Sequence, residues 1–245
     1  MRKCKHNLQN VEFQSAVENC TKMDSTVPFD SYLTYSQTGQ DLFVVSATSG
    51  KKGLTFLELG CNQPKYGNNT YVLEKFFNFS GVSIDISYDE HQQFNEHLDI
   101  TERSWPLCRP NSIWHKTDAL TFDYSTLANY YDYLQVDLDP ADISLEALKL
   151  VCSTKEFAVI TFEHDAWDVK ANALQIREQS RKFLTDKGYE LIAGNIGFTY
   201  SKAPVAKYKS YEDWWVNPKF VDESVIKAYR LDNDDIKYWG QVLFN

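Results

Sequence analysis

The residues best suited to chemistry stand where short apolar runs stop. Leu54 to Leu59 leads into Gly60-Cys61-Asn62, Gly81 to Ile84 into Asp85, and Ser112 to Lys116 into Thr117-Asp118-Ala119. Tyr133 to Asp139 carries Asp137 and Asp139 and stops at Pro140, and Phe157 to Phe162 leads into Glu163-His164-Asp165. An ionised carboxylate only accepts hydrogen bonds, so Asp85, closing the second run, suits the two hydroxyls of a ribose. His164 has a reference pKa near neutrality and is the natural general base, with Asp139, Glu163 or Asp165 to orient it. A divalent cation, Mg or Mn, between Glu163 and Asp137 or Asp139 is a second way to lower the pKa of an attacking hydroxyl. The residues leave both routes open.

The elements that must position these side chains follow from periodicity. Apolar runs alternate with amphipathic stretches from Leu54 onward, the pattern of an α/β fold with a mainly parallel central sheet and helices on both faces. Strands are expected over 54–59, 81–86, 112–116, 133–139, 157–162 and 189–195. Helices are expected over 70–78 and 89–97, from a Ser144 cap to Leu150, and over 170–187, where Gly188 supplies the stop. Val11 to Met23 suits a helix, and Asp41 to Thr48 a helix or a strand. The expected division is an N-terminal helical or irregular extension, 1–52, packed on a Rossmann-like domain, 53–245, with an aromatic C-terminal segment. In such a sheet ligands lie beyond the carboxyl ends of the strands, where the acids cluster.

Composition narrows the function. The chain has 245 residues, 43% hydrophobic and 24% charged, a soluble globular balance. A net charge of −9 and the lack of a basic patch argue against nucleic acid and anionic membrane partners. Five scattered cysteines form no CxxC pair, and no apolar run reaches the length of a signal peptide or membrane span. A reduced, cytoplasmic setting is expected, in which the glycosylation-type triplets at Asn19, Asn68 and Asn78 are chance matches. Aromatic residues are abundant, with 15 Phe, 15 Tyr and 6 Trp. Those outside the core runs gather in two flanks, Phe29 to Tyr35 and Tyr200 to Trp215.

The cofactor follows from the turn after the first strand. A nicotinamide dinucleotide needs a GxGxxG turn for its pyrophosphate, and here the next glycine after Gly60 is Gly67. Glu58 would repel a pyrophosphate and attract a cation, which matches S-adenosylmethionine with its sulfonium and ammonium. The stretch Phe56-Leu-Glu-Leu-Gly-Cys-Asn-Gln-Pro-Lys-Tyr-Gly-Asn-Asn-Thr, followed by Gly81-Val-Ser-Ile-Asp85, resembles the first two motifs of FkbM-type class I S-adenosylmethionine-dependent methyltransferases. Ser36-Gln-Thr-Gly-Gln-Asp41, Asp132-Tyr-Leu-Gln-Val-Asp-Leu-Asp-Pro140, Ile160-Thr-Phe-Glu-His-Asp165, Arg181 to Tyr189 and Tyr211 to Pro218 extend the likeness over most of the chain. Gln63-Pro64 and Asn68 depart from the Asp-Gly and Ser of many members.

The resemblance implies a Rossmann-like methyltransferase fold and a set of roles. Glu58, Gly60 and Asn62 would hold the methionine amino group, and Asn69 and Thr70 would meet its carboxylate at a helix N-terminus. Asp85 would bind ribose, Asp118 with the Ala119 backbone would read adenine, and Asp137 would complete the cofactor site. His164, Asp139 and Glu163 would carry catalysis. The implied acceptor is a small molecule or glycan, methylated on a sugar hydroxyl, with Trp214, Trp215, Tyr208 and Tyr211 as a stacking wall or as anchors of the C-terminal segment. Two other functions share the fold: a nicotinamide-dependent reductase or epimerase, and a degenerate methyltransferase fold kept for binding a partner.

Overall fold

A computed structural model of the chain describes residues 34–87, 99–167, 172–198, 209–231 and 233–244. The helices expected over Val11–Met23 and 89–97, and the aromatics Phe29, Tyr32, Tyr200 and Tyr208, lie outside the described residues. Eight strands make one sheet: β1 (Thr55–Leu59), β2 (Ser80–Asp85), β3 (Ser112–Lys116), β4 (Tyr130–Val136), β5 (Glu156–Glu163), β6 (Glu190–Phe198), β7 (Lys209–Val216) and β8 (Lys237–Tyr238). Their order is β3-β2-β1-β4-β5-β7-β6-β8. The first five are parallel, and β7 runs antiparallel between β5 and β6. The chain winds outward from β1 to β3 and returns to β4, so the order reverses between β1 and β4, where a doubly wound sheet opens a crevice.

Helices cover both faces. On one lie α1 (Gln40–Ala47), α2 (Tyr71–Phe77), α7 (Glu223–Tyr229) and α8 (Trp239–Phe244), sharing a core with Phe56, Tyr133, Val159 and Trp214. On the other lie α5 (Ala141–Val151) and α6 (Ala173–Asp186), packed on Leu57, Leu134, Ile160 and Trp215. Two short helices, α3 (Ile100–Arg103) and α4 (Trp105–Cys108), precede β3. Every residue of α1 is buried, which settles Asp41–Thr48 as helix.

Three boundaries differ from expectation. β4 stops at Val136, leaving Asp137 and Asp139 in the following turn. Ser144 is not a cap: α5 starts at Ala141, and the Ser144 hydroxyl lies inside the helix, bonded to the Leu138 N–H and carbonyl at 2.8 and 2.9 Å. The Tyr211–Trp215 segment is a central strand, with Trp214 and Trp215 at 0% and 1% exposure. Trp214 stacks on Phe43 at 4.5 Å, so the tryptophans bind the sheet together and form no wall for a sugar.

Alternation along the strands sorts the polar residues. One cross-strand row aligns Ser83, Glu58, Gln135, Thr161 and Trp214, and the next toward the carboxyl ends brings Glu163 opposite Glu212. The α1/α2 face therefore changes from aromatic core at Phe56 and Tyr133 to buried polar groups at the carboxyl ends of the strands.

Candidate active site

Glu58, one residue before the end of β1, has no exposure to solvent. Its Oε2 accepts from Thr70 Oγ1 at 3.0 Å and Ser83 Oγ at 2.6 Å, while its Oε1 has no donor. Burial raises its pKa, and Arg109 with the hydroxyl donors pulls it back. Gly60 follows at φ +82, where a Cβ would lie 1.6 Å from the Asp137 carbonyl oxygen; only glycine lets the β1 turn pass this close to β4. Asn62 is exposed at φ +53, and its N–H donates to Asp85 Oδ2 at 2.7 Å. Asp85 Oδ1 accepts from the Ser87 N–H and hydroxyl at 2.6 and 2.7 Å. Turn and acid are thereby locked together, and each carboxylate oxygen has more than one lone-pair site.

The start of α2 departs from the implied roles. Asn68 caps the helix, its Oδ1 accepting from the Thr70 and Tyr71 N–H groups at 3.0 and 2.8 Å. Thr70, with no exposure to solvent, turns its hydroxyl inward onto Glu58, Asn68 and Arg109. Asn69 is 3% exposed with an Oδ1 that no donor reaches. Asp118 is half-buried, its Oδ1 accepting from the Leu120 N–H at 2.8 Å, and the Ala119 carbonyl accepts from the Tyr124 hydroxyl.

A buried guanidinium underlies this loop. Arg109, 1% exposed, donates from Nε to Glu74 at 2.6 Å, from Nη1 to the Pro64 carbonyl and Asn68 Oδ1 at 3.2 and 2.8 Å, and from Nη2 to Thr70 Oγ1 at 2.7 Å. Its plane lies near the rings of Trp105 and Phe56, at 5.0 and 5.6 Å. Nothing in its local sequence marks it, because its partners lie 35 to 45 residues away.

Beyond β4 and β5 the acids gather. Asp137 and Glu163 are hydrogen-bonded to each other, and burial and mutual repulsion raise both, Asp137 to about 6 and Glu163 well above its ordinary range. Glu163 Oε2 has no donor, and neither does Oε1 of Gln135, which is 1% exposed. Glu212 accepts from Thr38 Oγ1 at 2.7 Å, from Gln40 Nε2 at 2.9 Å and from Trp214 Nε1, yet burial still pushes it up to about 8. Tyr211 donates to Gln37 and also reaches Glu163. The Thr34–Gly39 segment, folded around the buried Asp41 carboxylate, is thus tied over this end of the sheet. The polar pattern of β7 gave no sign that Glu212 is central.

The expected pairing of His164 with Glu163 is corrected. Glu163 ends β5 and His164 follows it, and the two side chains point to opposite sides of the sheet. His164 has no exposure; its Nδ1 accepts from the Ala166 N–H at 3.1 Å and its Nε2 faces Asp213 Oδ1 at 3.3 Å. Asp213 also holds Arg181 at 2.7 and 2.9 Å and the Asn195 N–H at 2.8 Å. Despite burial, His164 and Arg181 hold its carboxyl well below the usual range. Both ring nitrogens are engaged on the α6 face, on the side of the sheet opposite to the Glu163 carboxyl. Asp139 is exposed and has no partner in the Asp137–Glu163 hydrogen bond. Among the described residues no three His, Cys, Asp or Glu side chains are grouped to hold a metal ion, so the Mg or Mn route has no ligand set. A cavity of about 120 Å³ lies at the opposite, amino ends of the strands, against Leu54, Tyr130 and Phe220, remote from these acids.

No protein-family model and no curated protein sequence matches the chain. Among solved structures it is similar to a cyclopropane-fatty-acyl-phospholipid synthase-like protein from Lactobacillus casei ATCC 334, at 12% identity and a TM-score of 0.51 over 83% of this chain and 99% of that one. It also matches the N-methyltransferase NodS from Bradyrhizobium japonicum WM9 in complex with S-adenosyl-L-homocysteine, at 15% identity, TM-score 0.46, 84% of this chain and 98% of that one. A third match is an O-methyltransferase from Bacillus cereus in complex with the same ligand, at 11% identity, TM-score 0.48, 84% and 88%. The sheet order and the first of these likenesses show a Rossmann-like fold.

Proposed function

We propose that the chain is an S-adenosylmethionine-dependent O-methyltransferase whose acceptor is a hydroxyl of a sugar or glycan. The observation that carries this is a set of buried acceptors without donors, Glu58 Oε1, Asn69 Oδ1, Gln135 Oε1 and Glu163 Oε2, at the carboxyl ends of β1, β4 and β5 and the start of α2. A buried polar atom left unpaired costs about 1–3 kcal/mol. Four of them, all oxygens beside an acidic row, call for a ligand rich in N–H donors and positive charge. The methionine ammonium of S-adenosylmethionine is such a group, and Glu58, Asn69 and Gln135 would hold it. Asp85 would accept the ribose hydroxyls, and Ile86, 65% exposed beside it, offers an apolar face to adenine, with Asp118 at its edge.

S-adenosylmethionine supplies an electrophilic methyl group, so the protein must align the acceptor and take its proton. Asp137 and Glu163 share one proton, and the ionised member accepts the acceptor's hydroxyl proton as the new C–O bond forms. A pair with Asp137 near 6 is charged at neutral pH and loses that capacity below it. Support for a sugar acceptor is the motif likeness to FkbM-type enzymes. Incubation with methyl-tritiated S-adenosylmethionine and a panel of neutral sugars and glycans tests this. Label should enter a hydroxyl, at a rate rising with pH through about 6. Label confined to amines or RNA would contradict the acceptor assignment.

A further inference from the structure

We infer that Arg109 is a positioning residue for the cofactor site: it aims the free oxygen of Glu58 at the ligand and sustains that carboxylate's charge, acting through Thr70. This rests on the functional reading above only in what Glu58 binds. The hydrogen-bond directions are fixed by donor chemistry. A guanidinium only donates, so Thr70 Oγ1, accepting from Arg109 Nη2 at 2.7 Å, must spend its own proton elsewhere. Its neighbours at 3.0 and 3.2 Å are Glu58 Oε2 and Asn68 Oδ1, and the latter already takes three N–H groups, from Thr70, Tyr71 and Arg109. The Thr70 proton therefore goes to Glu58. With Ser83 on the same Oε2, one carboxylate oxygen is saturated and the other, Oε1, is left bare.

The same guanidinium fixes the loop that frames this oxygen. It grips the Pro64 carbonyl and orients the Asn68 amide, whose Nδ2 in turn donates to the Cys61 carbonyl. Glu58 is faced by Asp85 on β2, Tyr133 on β4, Asp137 in the turn after β4, and Cys61 in its own turn, with Thr70, Ser83 and Asn68 as neutral donors. Arg109 is the cation in that group, and it is the largest influence opposing the effect of burial on Glu58.

Carbon-13 NMR titration of the Glu58 carboxyl, assigned by its loss in Glu58→Gln, reads this without any ligand. In Arg109→Gln the Glu58 midpoint should move to higher pH, half-protonation occurring at a proton concentration at least tenfold lower, while Arg109→Lys, which keeps charge and loses the fork, should remain near wild type. An unchanged midpoint in Arg109→Gln overturns the inference. If Arg109→Gln does not fold, Thr70→Val, which removes the relay hydroxyl, should raise the midpoint in its place, and no rise there is equally contrary. Calorimetry with S-adenosylhomocysteine between about pH 6 and pH 8 gives the second arm. Relative to wild type at the same pH, Arg109→Gln should lose at least tenfold at the acid end and recover toward the alkaline end. A loss equal at all pH values contradicts the role of charge. Failure of wild type to bind at any pH sinks the functional reading and leaves the NMR arm standing.

Discussion

Burial without a cation shifts a carboxyl group toward its protonated form, and Asp137 in the turn after β4, Glu163 on β5 and Glu212 on β7 all show this. In the proposed reaction one proton shared by the first two would leave a base that works near neutrality. Asp137→Asn should lower methyl transfer by about 10²–10⁴ with little change in S-adenosylhomocysteine affinity, as a lost general base does. His164→Ala should behave in the opposite way. Removing its ring exposes Asp213 to a lost hydrogen bond, so the melting curve should show a loss of about 1–3 kcal/mol, with turnover per folded molecule retained. Asp85→Ala should weaken S-adenosylhomocysteine by about 1–3 kcal/mol in calorimetry, unless the ribose finds another acceptor.

At the scale of elements, the close pass of the β1 turn over β4 is the feature least tolerant of change. Gly60→Ala places a methyl group inside the Asp137 carbonyl and at a φ that L residues avoid. The β1 turn must then move, and with it the Asn62 N–H that holds Asp85. Circular dichroism and calorimetry should show a less stable protein with at least tenfold weaker S-adenosylhomocysteine binding; wild-type affinity would mean the turn does not frame the ligand. β1, β2 and β5 were legible because both faces of each are covered and the runs read as apolar. β7 was not, since Glu212 and Asp213 stand between aromatics in a strand inserted late and antiparallel, where each acid is satisfied by groups distant in sequence. The acid at the end of β2 could be placed from its position alone. The separation of His164 from Glu163 was also present in the sequence, as period-two alternation, whereas Arg109 joins residues that only the folded loop brings together.

Across the whole molecule the raised carboxyls set the pH dependence of stability. Glu212 rises from 4.5 to about 8 and Asp137 from 3.8 to about 6, so the folded state holds protons that the unfolded chain releases. Their contribution is fully present below about pH 4 and is lost as pH rises through 6 and then 8. Asp213, held low, acts in reverse and loses its contribution as pH falls below its ordinary range. Thermal melts of the free protein should therefore be highest in mild acid and decline toward pH 8, and Glu212→Gln should flatten the upper part of that decline.

The central claim is that the α1/α2 face of this sheet, at the carboxyl ends of β1, β2 and β4, holds the methionine and ribose of S-adenosylmethionine. Titration calorimetry of the wild-type chain with S-adenosylhomocysteine addresses it most directly. The account predicts one saturable site with a Kd in the micromolar range, about −8 kcal/mol, that is weakened by Asp85→Ala. A flat titration at high micromolar ligand, with the protein shown to be folded, would contradict it.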